Sequence, residues 1–239
     1  MKKIITLIFI VSLVFTGYTK ITSNNSIISY TVAAKNITFY LTDAQGIHFK
    51  NFQNLKKSLQ SNHKELIFAM NGGMYNRDLS PQGLYIGQGT ILKEIDQTQE
   101  AYGNFYMQPN GIFYITKKGK AQVTQTKDFI YRNDINYATQ SGPMLVIDGK
   151  LHHRFMPQSK NIHIRNGVGI LPNGDLLFAI SKKKINFYNF ATFFKENGCK
   201  NALYLDGFVS RIYLPKKGIR QKDSLFGVII AEVDSAKIQ

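Results

Sequence analysis

The stretch Leu-Ile-Phe-Ala-Met-Asn-Gly-Gly at residues 66–73 is an apolar run that ends abruptly in an amide side chain and two glycines. A short, wholly apolar run of this kind is typical of a buried β-strand. The segment before it, residues 52–60, has Phe52, Leu55 and Leu59 at helical spacing. We therefore expect a helix whose apolar face covers a buried strand, with polar residues at the end of that strand.

The same order returns later in the chain. Residues 187–197 have the apolar periodicity of a helix, and Gly198 is a typical helix stop. An apolar strand at 202–205 follows and ends in Asp206-Gly207. Strand ends of this kind present chemistry on a rigid scaffold, although Asn-Gly and Asp-Gly also form ordinary turns. If the two helix–strand units form one site, Asn71 and Asp206 must lie near one another.

Between the two units the chain is rich in hairpin signals. Paired strand-like runs occur within residues 111–126, 144–153 and 168–180, and Asp148-Gly149 is a strong two-residue turn. Hairpins make antiparallel sheet. We predict an α+β fold: a single domain with a mixed, mostly antiparallel sheet and a few helices.

The N-terminus resembles a targeting segment. Lys2 and Lys3 precede an apolar run at 4–15, which is typical of a secretory signal and short for a transmembrane helix. We assign residues 1–24 to a signal peptide or an uncleaved N-terminal anchor and residues 25–239 to the folded domain. The protein is thus expected to be exported, either periplasmic or extracellular, or held at the membrane by an uncleaved leader.

Composition and charge limit the function classes. The 239 residues are 44% hydrophobic and 19% charged, which excludes a disordered chain, a collagen and a disulfide scaffold. Cys199 is the only cysteine, so neither an intrachain disulfide nor a cysteine-based zinc site can form. No Walker loop, dinucleotide fingerprint or zincin motif occurs, and we predict neither a metal nor a cofactor.

The net charge of +15 favours anionic partners. We find no basic helix, aromatic RNA-binding signature or zinc finger, so nucleic acid is not expected. A phosphate-bearing glycan or an anionic envelope surface fits an exported protein better. The alternative is that lysine-rich tips such as 117–118 and 182–184 are only solvated turns. Oligomeric state is not predicted.

Two clusters offer donors for an anion. Residues 71–76 contain Gly72 and Gly73, whose backbone N–H groups can approach an oxyanion closely, and Asn76 and Asp78 follow. Ser141-Gly142 precedes a strand, and Ser141 either donates to a ligand or caps its own turn. The spacing of a nucleophile elbow is absent there.

Two further clusters carry charge. Arg165 has the planar fork that binds phosphate, although it could equally form a structural pair with a buried carboxylate. Asp206 follows a buried strand directly, which is costly unless the carboxylate is partnered or used, and Ser210 and Arg211 come just after it. Asp206 is the leading catalytic candidate, and the alternative is a turn cap.

In this order the motifs resemble the phosphodiester glycosidase family, over roughly residues 30–233. The motifs that carry the resemblance are 71–75, Ser141-Gly142-Pro143, 165–169 and 205–207. The stretches 70–75, 80–84, 186–188 and 205–210 are similar to a compact bacterial branch of that family.

The resemblance implies hydrolysis of a bond between a sugar C1 and a phosphodiester oxygen. Asp206 would be the nucleophile or base, Arg165 the phosphate clamp and Asn71 the orienter, with Asp78 as a reserve second carboxylate. The remaining residues assigned to substrate binding are Gly72, Gly73, Asn76, Ser141, Gly142, Ser210 and Arg211. A different class remains open: a non-catalytic envelope protein that binds anionic glycan on the same scaffold. A phosphodiesterase that cuts the other P–O bond is a third.

Overall fold

The structure is a computed structural model that describes residues 26–206 and 208–235. The predicted leader at 1–24 lies outside the described residues. Within the described ranges no helix is long and apolar enough to cross a bilayer.

The described residues form two α-helices and many short strands. The helices are α1 (Phe52–Ser61) and α2 (Phe187–Glu196). The strands are β1 (Ile27–Val32), β2 (Ile37–Tyr40), β3 (Lys64–Asn71), β4 (Tyr85–Gly87), β5 (Thr90–Lys93), β6 (Gly111–Thr116), β7 (Ala121–Gln125), β8 (Ile135–Ser141), β9 (Met144–Ile147), β10 (Lys150–Leu151), β11 (Asn166–Ile170), β12 (Leu176–Ser181), β13 (Ala202–Asp206), β14 (Ile212–Leu214), β15 (Ile219–Arg220) and β16 (Ile229–Ser235).

The strands form three sheets. Their orders are β1-β12-β11-β13-β9-β10, β15-β14-β3-β16-β2 and β5-β4-β8-β6-β7. Every pairing among these described strands is antiparallel. The predicted α+β class is confirmed, and so are the three hairpins, as β6–β7, β9–β10 and β11–β12.

The main core lies where the sheets face one another. Its aromatic centre joins Phe68 of β3, Phe113 of β6 and Phe178 of β12, all fully buried. Phe68 and Phe178 have ring centroids 5.0 Å apart. Burying side chains of this size supplies roughly 1.5–3 kcal/mol each, so this contact fixes how the sheets meet.

Helix α1 forms as its sequence predicts. The side chain of Asn51 caps its first turn by accepting a hydrogen bond from the N–H of Asn54, at 2.8 Å. The face with Phe52, Leu55 and Leu59 is buried against the second sheet. This packing holds β3 beneath the helix.

Helix α2 repeats that arrangement on the first sheet. Asn186 caps it by accepting from the N–H of Asn189, at 2.9 Å. Phe190 and Phe194 are fully buried beneath it. Gly198, with φ of 77°, ends the helix in the left-handed conformation that favours glycine.

Strands β3 and β13, which carry the two polar tips, are both interior strands. β3 lies between β14 and β16, and β13 lies between β11 and β9. A strand paired on both sides has little freedom at its end. The fold therefore holds Asn71 and Asp206, the last residues of these strands, in fixed positions.

Candidate functional site

The two polar strand ends meet. Asn71 Nδ2 donates to Asp206 Oδ2 at 2.8 Å and to the carbonyl oxygen of Val209 at 2.5 Å. Asn71 is fully buried and Asp206 is 3% exposed. The expectation that the two helix–strand units bring these residues together is confirmed.

Both the amide nitrogen and the amide oxygen of the Asn71 side chain make hydrogen bonds. Its Oδ1 accepts from the backbone N–H of Arg211 at 2.8 Å and from Asn166 Nδ2 at 3.1 Å. With both Nδ2 hydrogens also donated, no rotation of the amide is left. Asn71 therefore aims one fixed N–H at the Asp206 carboxylate.

The Asp206 carboxylate is held by neutral donors. Its Oδ1 accepts from the backbone N–H of Phe208 at 3.0 Å and, at the longer distance of 3.5 Å, from that of Val209. Its Oδ2 accepts from Asn71. Amide donors orient a carboxylate without neutralising its charge.

Asn166 links the two strand ends, and sequence reasoning did not assign it to the site. Its Nδ2 donates to the Asn71 carbonyl oxygen at 2.9 Å, and its Oδ1 accepts from the Asp206 N–H at 2.9 Å. It is fully buried opposite Asp206 in the β11–β13 pairing. The sequence did hold one signal for this role: Asn166 is the only polar side chain in a strand that otherwise consists of glycines and apolar residues.

Ser210 and Ser141 hold the end of β13 by donating hydrogen bonds to its backbone carbonyl oxygens. Ser210 Oγ donates to the Asp206 carbonyl oxygen at 2.6 Å, and Ser141 Oγ donates to the Leu205 carbonyl oxygen at 2.8 Å. Both hydroxyls are buried. The structure thus places both serines so that they position Asp206, and their roles as ligand donors stay predictions.

The glycines at this site are required by close packing. At Gly142 a Cβ would lie 2.6 Å from the Cβ of Asn110. At Gly72 it would lie 2.3 Å from Ile230 Cδ1, and the Gly72 N–H already donates to Val228. One of the two backbone N–H groups that the sequence predicts for binding an oxyanion is therefore already used within the protein.

Gly73 differs from its neighbour. Its φ is 83°, and a Cβ would lie 2.2 Å from Thr139 Oγ1. Its N–H makes no hydrogen bond with a described residue. Of the predicted pair, Gly73 alone retains a donor for a ligand.

Asn76 and Asp78 build an exposed turn. Asn76 Nδ2 donates to Ser80 Oγ at 3.0 Å, and Asp78 Oδ1 accepts from Ser80 Oγ at 2.6 Å and from the Ser80 N–H at 3.0 Å. These bonds from Ser80 hold the pKa of the Asp78 carboxyl below its usual value. No described hydrogen bond joins Asp78 to Asp206, and its role as a second carboxylate stays a prediction.

Arg165 lies inside the protein. It is fully buried, and its guanidinium donates to the carbonyl oxygens of Ile185 and Asn161, to Asn161 Oδ1 and to the Tyr204 hydroxyl, at 2.8–3.1 Å. Its Cζ lies 3.5 Å from the centre of the Phe187 ring. Burial lowers the pKa of Arg165, and the Tyr204 hydroxyl opposes that shift.

This environment corrects one alternative drawn from the sequence. Among the described residues Arg165 forms no ion pair with a carboxylate, so the structural pair does not exist there. The guanidinium is stabilised by carbonyl oxygens and an aromatic face instead. Its role as phosphate clamp stays a prediction, and it requires the buried group to become reachable.

Arg211 stands at the surface of the same site. Its backbone N–H donates to Asn71 Oδ1. Its guanidinium forms a bidentate ion pair with the Asp223 carboxylate, with distances of 2.9 and 2.8 Å. The side chains are 25% and 69% exposed, respectively. The hydrogen bonds from Arg211 lower the pKa of Asp223.

Two tyrosines respond to the Asp206 charge. The pKa of Tyr75 is raised to about 12, first by burial and then by the charge of Asp206, and Arg211 opposes the rise. Burial also raises the pKa of Tyr204, with Arg165 lowering and Asp206 raising it. Tyr75 donates its hydroxyl hydrogen to the Leu225 carbonyl oxygen at 2.9 Å. Neither tyrosine was assigned from the sequence, because aromatic residues give no local signal of a site.

The assembled site thus contains one oriented carboxylate, an amide that fixes it, one partly exposed guanidinium and, at Gly73, a backbone N–H with no hydrogen bond to a described residue. This set supplies a nucleophile or base together with donors for an anion. In the described part of the chain no three His, Cys, Asp or Glu side chains group as a metal site.

Comparisons with known proteins agree with this geometry. The Phosphodiester glycosidase family model matches residues 64–224. Uncharacterized protein YigE of Escherichia coli strain K12 is 33% identical over 189 residues, covering 78% of this chain and 73% of that protein.

Two solved structures share the fold. One is the catalytic domain of zebrafish N-acetylglucosamine-1-phosphodiester alpha-N-acetylglucosaminidase, auto-inhibited by its pro-peptide, with TM-score 0.60, 13% identity and coverage of 88% of this chain and 84% of that one. The other is a hypothetical protein from Synechocystis, with TM-score 0.51, 12% identity and coverage of 87% and 58%. On the family match and the similarity to YigE, this chain belongs to the phosphodiester glycosidase family.

Proposed function

We propose that this protein is an exported hydrolase that cleaves the bond between a sugar C1 and a phosphodiester oxygen in a phosphate-bearing envelope or extracellular glycan. One observation carries the proposal: the four sequence motifs converge on the hydrogen bond between Asn71 and Asp206. Ser141 from the second motif supports Leu205, and Asn166 from the third bridges both strand ends.

Asp206 performs the chemistry in this proposal. As a nucleophile, its carboxylate attacks C1, the bond from C1 to oxygen breaks, and the phosphate leaves with the electron pair; water then hydrolyses the glycosyl ester. As a base, it takes a proton from the water that attacks C1 while the bond from C1 to the phosphate oxygen breaks and the phosphate leaves with the electron pair. A phosphate leaving group has a low pKa and needs little protonation, so a single carboxylate suffices.

We assign the binding of the phosphate to the partly exposed Arg211 guanidinium and to the N–H of Gly73, which is buried but makes no hydrogen bond with a described residue. The ion pair between Arg211 and Asp223 is exposed, and exposed pairs stabilise a protein by only about 0.2–1 kcal/mol. A phosphate can therefore replace Asp223 on Arg211 at little cost, and the negative charge on the departing group is stabilised there.

The test compares two aspartates. In Asp206→Asn we expect turnover of sugar-1-phosphodiesters to fall by at least about a thousandfold, because the nucleophile or base is lost. Asp128→Asn removes an equal charge from an exposed position with no assigned role and is expected to retain activity. If Asp206→Asn is fully active, the assignment is wrong.

Folding needs a separate check, because the new amide at position 206 would face the Asn71 amide, donor to donor. Asp206→Ala removes the acceptor without adding a donor, and urea unfolding of both variants separates lost chemistry from lost structure. The products identify the reaction: free sugar supports the proposal, and sugar phosphate indicates cleavage of the other P–O bond. Binding without release identifies a non-catalytic glycan-binding protein.

A further inference from the structure

A cavity lies between α1 and the strands β14 and β15, and Asp206 is not among its lining residues. Its volume is about 180 Å³. Four cations line it: Lys56 and Lys57 from α1, Arg220 from β15, and Lys222 just beyond. No carboxylate is among its lining residues. We call it the α1 cationic cavity.

The charges of this cavity are not compensated. Lys56, Lys57, Arg220 and Lys222 form neither an ion pair nor a side-chain hydrogen bond with a described residue. Four like charges around one concavity repel one another and concentrate a positive potential there. Such a place attracts a multivalent anion.

The lining of the cavity combines two buried aromatic residues with neutral polar groups. Phe52 and Tyr213 are 2% and 5% exposed, so they close the base of the cavity. The Tyr213 hydroxyl makes no hydrogen bond with a described residue, and Gln53 and Gln60 add neutral donors at the wall. Hydroxyl and amide donors beside four cations suit a phosphate and the sugar hydroxyls next to it.

The cavity is linked to the site through two short stretches of chain. Tyr213, which lines the cavity, follows Arg211 by two residues, and the Arg211 N–H donates to Asn71. Lys222, which also lines the cavity, precedes Asp223, the ion-pair partner of Arg211. These links connect the cationic lining to residues of the site.

We propose that the α1 cationic cavity binds a second phosphate of a glycan with repeating phosphodiester links, beyond the phosphate at the bond that is cleaved. This inference rests on the proposed function for the placement of the chain, while the cavity's affinity for a polyanionic glycan can be measured without turnover. The ligand class is therefore a poly(hexose 1-phosphate), not an isolated phosphodiester.

The test uses the full chain and the variant Lys56→Gln/Lys222→Gln. The matched control is Lys117→Gln/Lys118→Gln, which removes the same charge at the exposed turn between β6 and β7. The probes are a short synthetic oligomer of hexose-1-phosphate repeats, a single methyl hexose-1-phosphodiester, and vesicles of phosphatidylglycerol with phosphatidylcholine. Binding is measured at low salt, because screening weakens exposed charges.

We expect oligomer affinity to fall about tenfold in the cavity variant and to stay unchanged in the control, as two lost interactions of exposed charges predict. The kcat/KM for the single phosphodiester should be the same in all three proteins. Equal losses in both variants would overturn the proposal in favour of a general charge effect. Loss of vesicle binding with oligomer binding intact would overturn it in favour of a membrane surface.

The failure of the proposed function is distinguishable. If the wild-type protein releases no sugar, the function fails, and oligomer binding still decides whether the cavity is a polyanion site.

Discussion

Two arginines flank the same strand ends and differ in almost every physical respect. Arg165 is fully buried, donates to carbonyl and hydroxyl oxygens and has no carboxylate partner among the described residues. Arg211 is a quarter exposed and is paired with Asp223. Both were assigned to substrate binding from the sequence. The difference teaches that two arginines predicted for the same task lie in opposite environments: carbonyl oxygens and a ring face hold Arg165, whereas Arg211 pairs with an exposed carboxylate.

Arg165 is part of a stack that reaches far from the site. The ring of Phe187 lies against its guanidinium, Phe155 stacks on Phe187 with centroids 4.9 Å apart, and His152 stacks on Phe155 at 4.7 Å. Such a stack supports a cation by its ring faces and excludes water. No ring of the described residues lies over the Arg211 guanidinium in this way.

We expect the largest effect when Arg165 is replaced by methionine, and the same replacement at Arg211 serves as the comparison. In Arg165→Met, the Tyr204 hydroxyl and the Ile185 carbonyl lose their charged donor, and two bonds to Asn161 disappear. Hydrogen bonds to charged groups contribute about 1.5–3 kcal/mol each, and relief of a buried charge offsets part of that. We expect the free energy of unfolding in urea to fall by about 4 kcal/mol.

Arg211→Met is the matched change at the surface. It breaks an exposed ion pair, so the expected loss is at most about 1 kcal/mol. If the two variants lose equal stability, or if Arg211→Met loses more, the division of roles between the arginines is wrong.

The sequence predicted most of the fold because its signals are local. The apolar periods of α1 and α2, the turn residues between paired strands and the helix stop at Gly198 all act within a few residues of chain. The strands β4, β5, β8 and β14–β16 were not identified. β16 is inserted between β2 and β3, a pairing of distant segments that no local pattern encodes.

Local signals in the sequence likewise predicted only part of the site. Asn71 and Asp206 could be expected to meet because each ends a buried strand after a helix. Asn166 and Asp223 were not assigned, because their importance depends on which strand and which loop they face. For the same reason the sequence could not tell that Arg165 points inward while Arg211 remains at the surface.

The second prediction tests the support of Arg165 through pH. Burial, with a smaller effect of the neighbouring His153, lowers the pKa of His152 from 6.5 to about 4. The unfolded chain therefore binds more protons than the folded one between these values, so stability is complete above about pH 6.5 and declines as the pH falls to about 4. The shift corresponds to about 3 kcal/mol.

Urea unfolding across this range measures the effect. His152→Gln should abolish this part of the pH dependence, whereas His153→Gln, at the adjacent exposed position, should retain it. If His152→Gln keeps the wild-type pH dependence, the decline belongs to other groups and His152 does not stabilise the stack in its neutral form.

The smallest expected effect separates the two members of the surface pair by the sign of their response. Inorganic phosphate should bind about tenfold more weakly to Arg211→Met, because the exposed guanidinium is lost, and about two- to threefold more tightly to Asp223→Asn, because the competing carboxylate is lost. Inhibition of phosphodiester turnover and isothermal titration each measure phosphate binding.

The pH dependence of phosphate binding tests the same competition. Since Arg211 lowers the pKa of Asp223, competition persists until the pH falls through that lowered value, and phosphate binding to the wild type should then approach that of Asp223→Asn. Opposite responses require a guanidinium that exchanges one anion for another. Weaker binding in both variants would mean that the ion pair only holds its loop, and the role of Arg211 would then be structural.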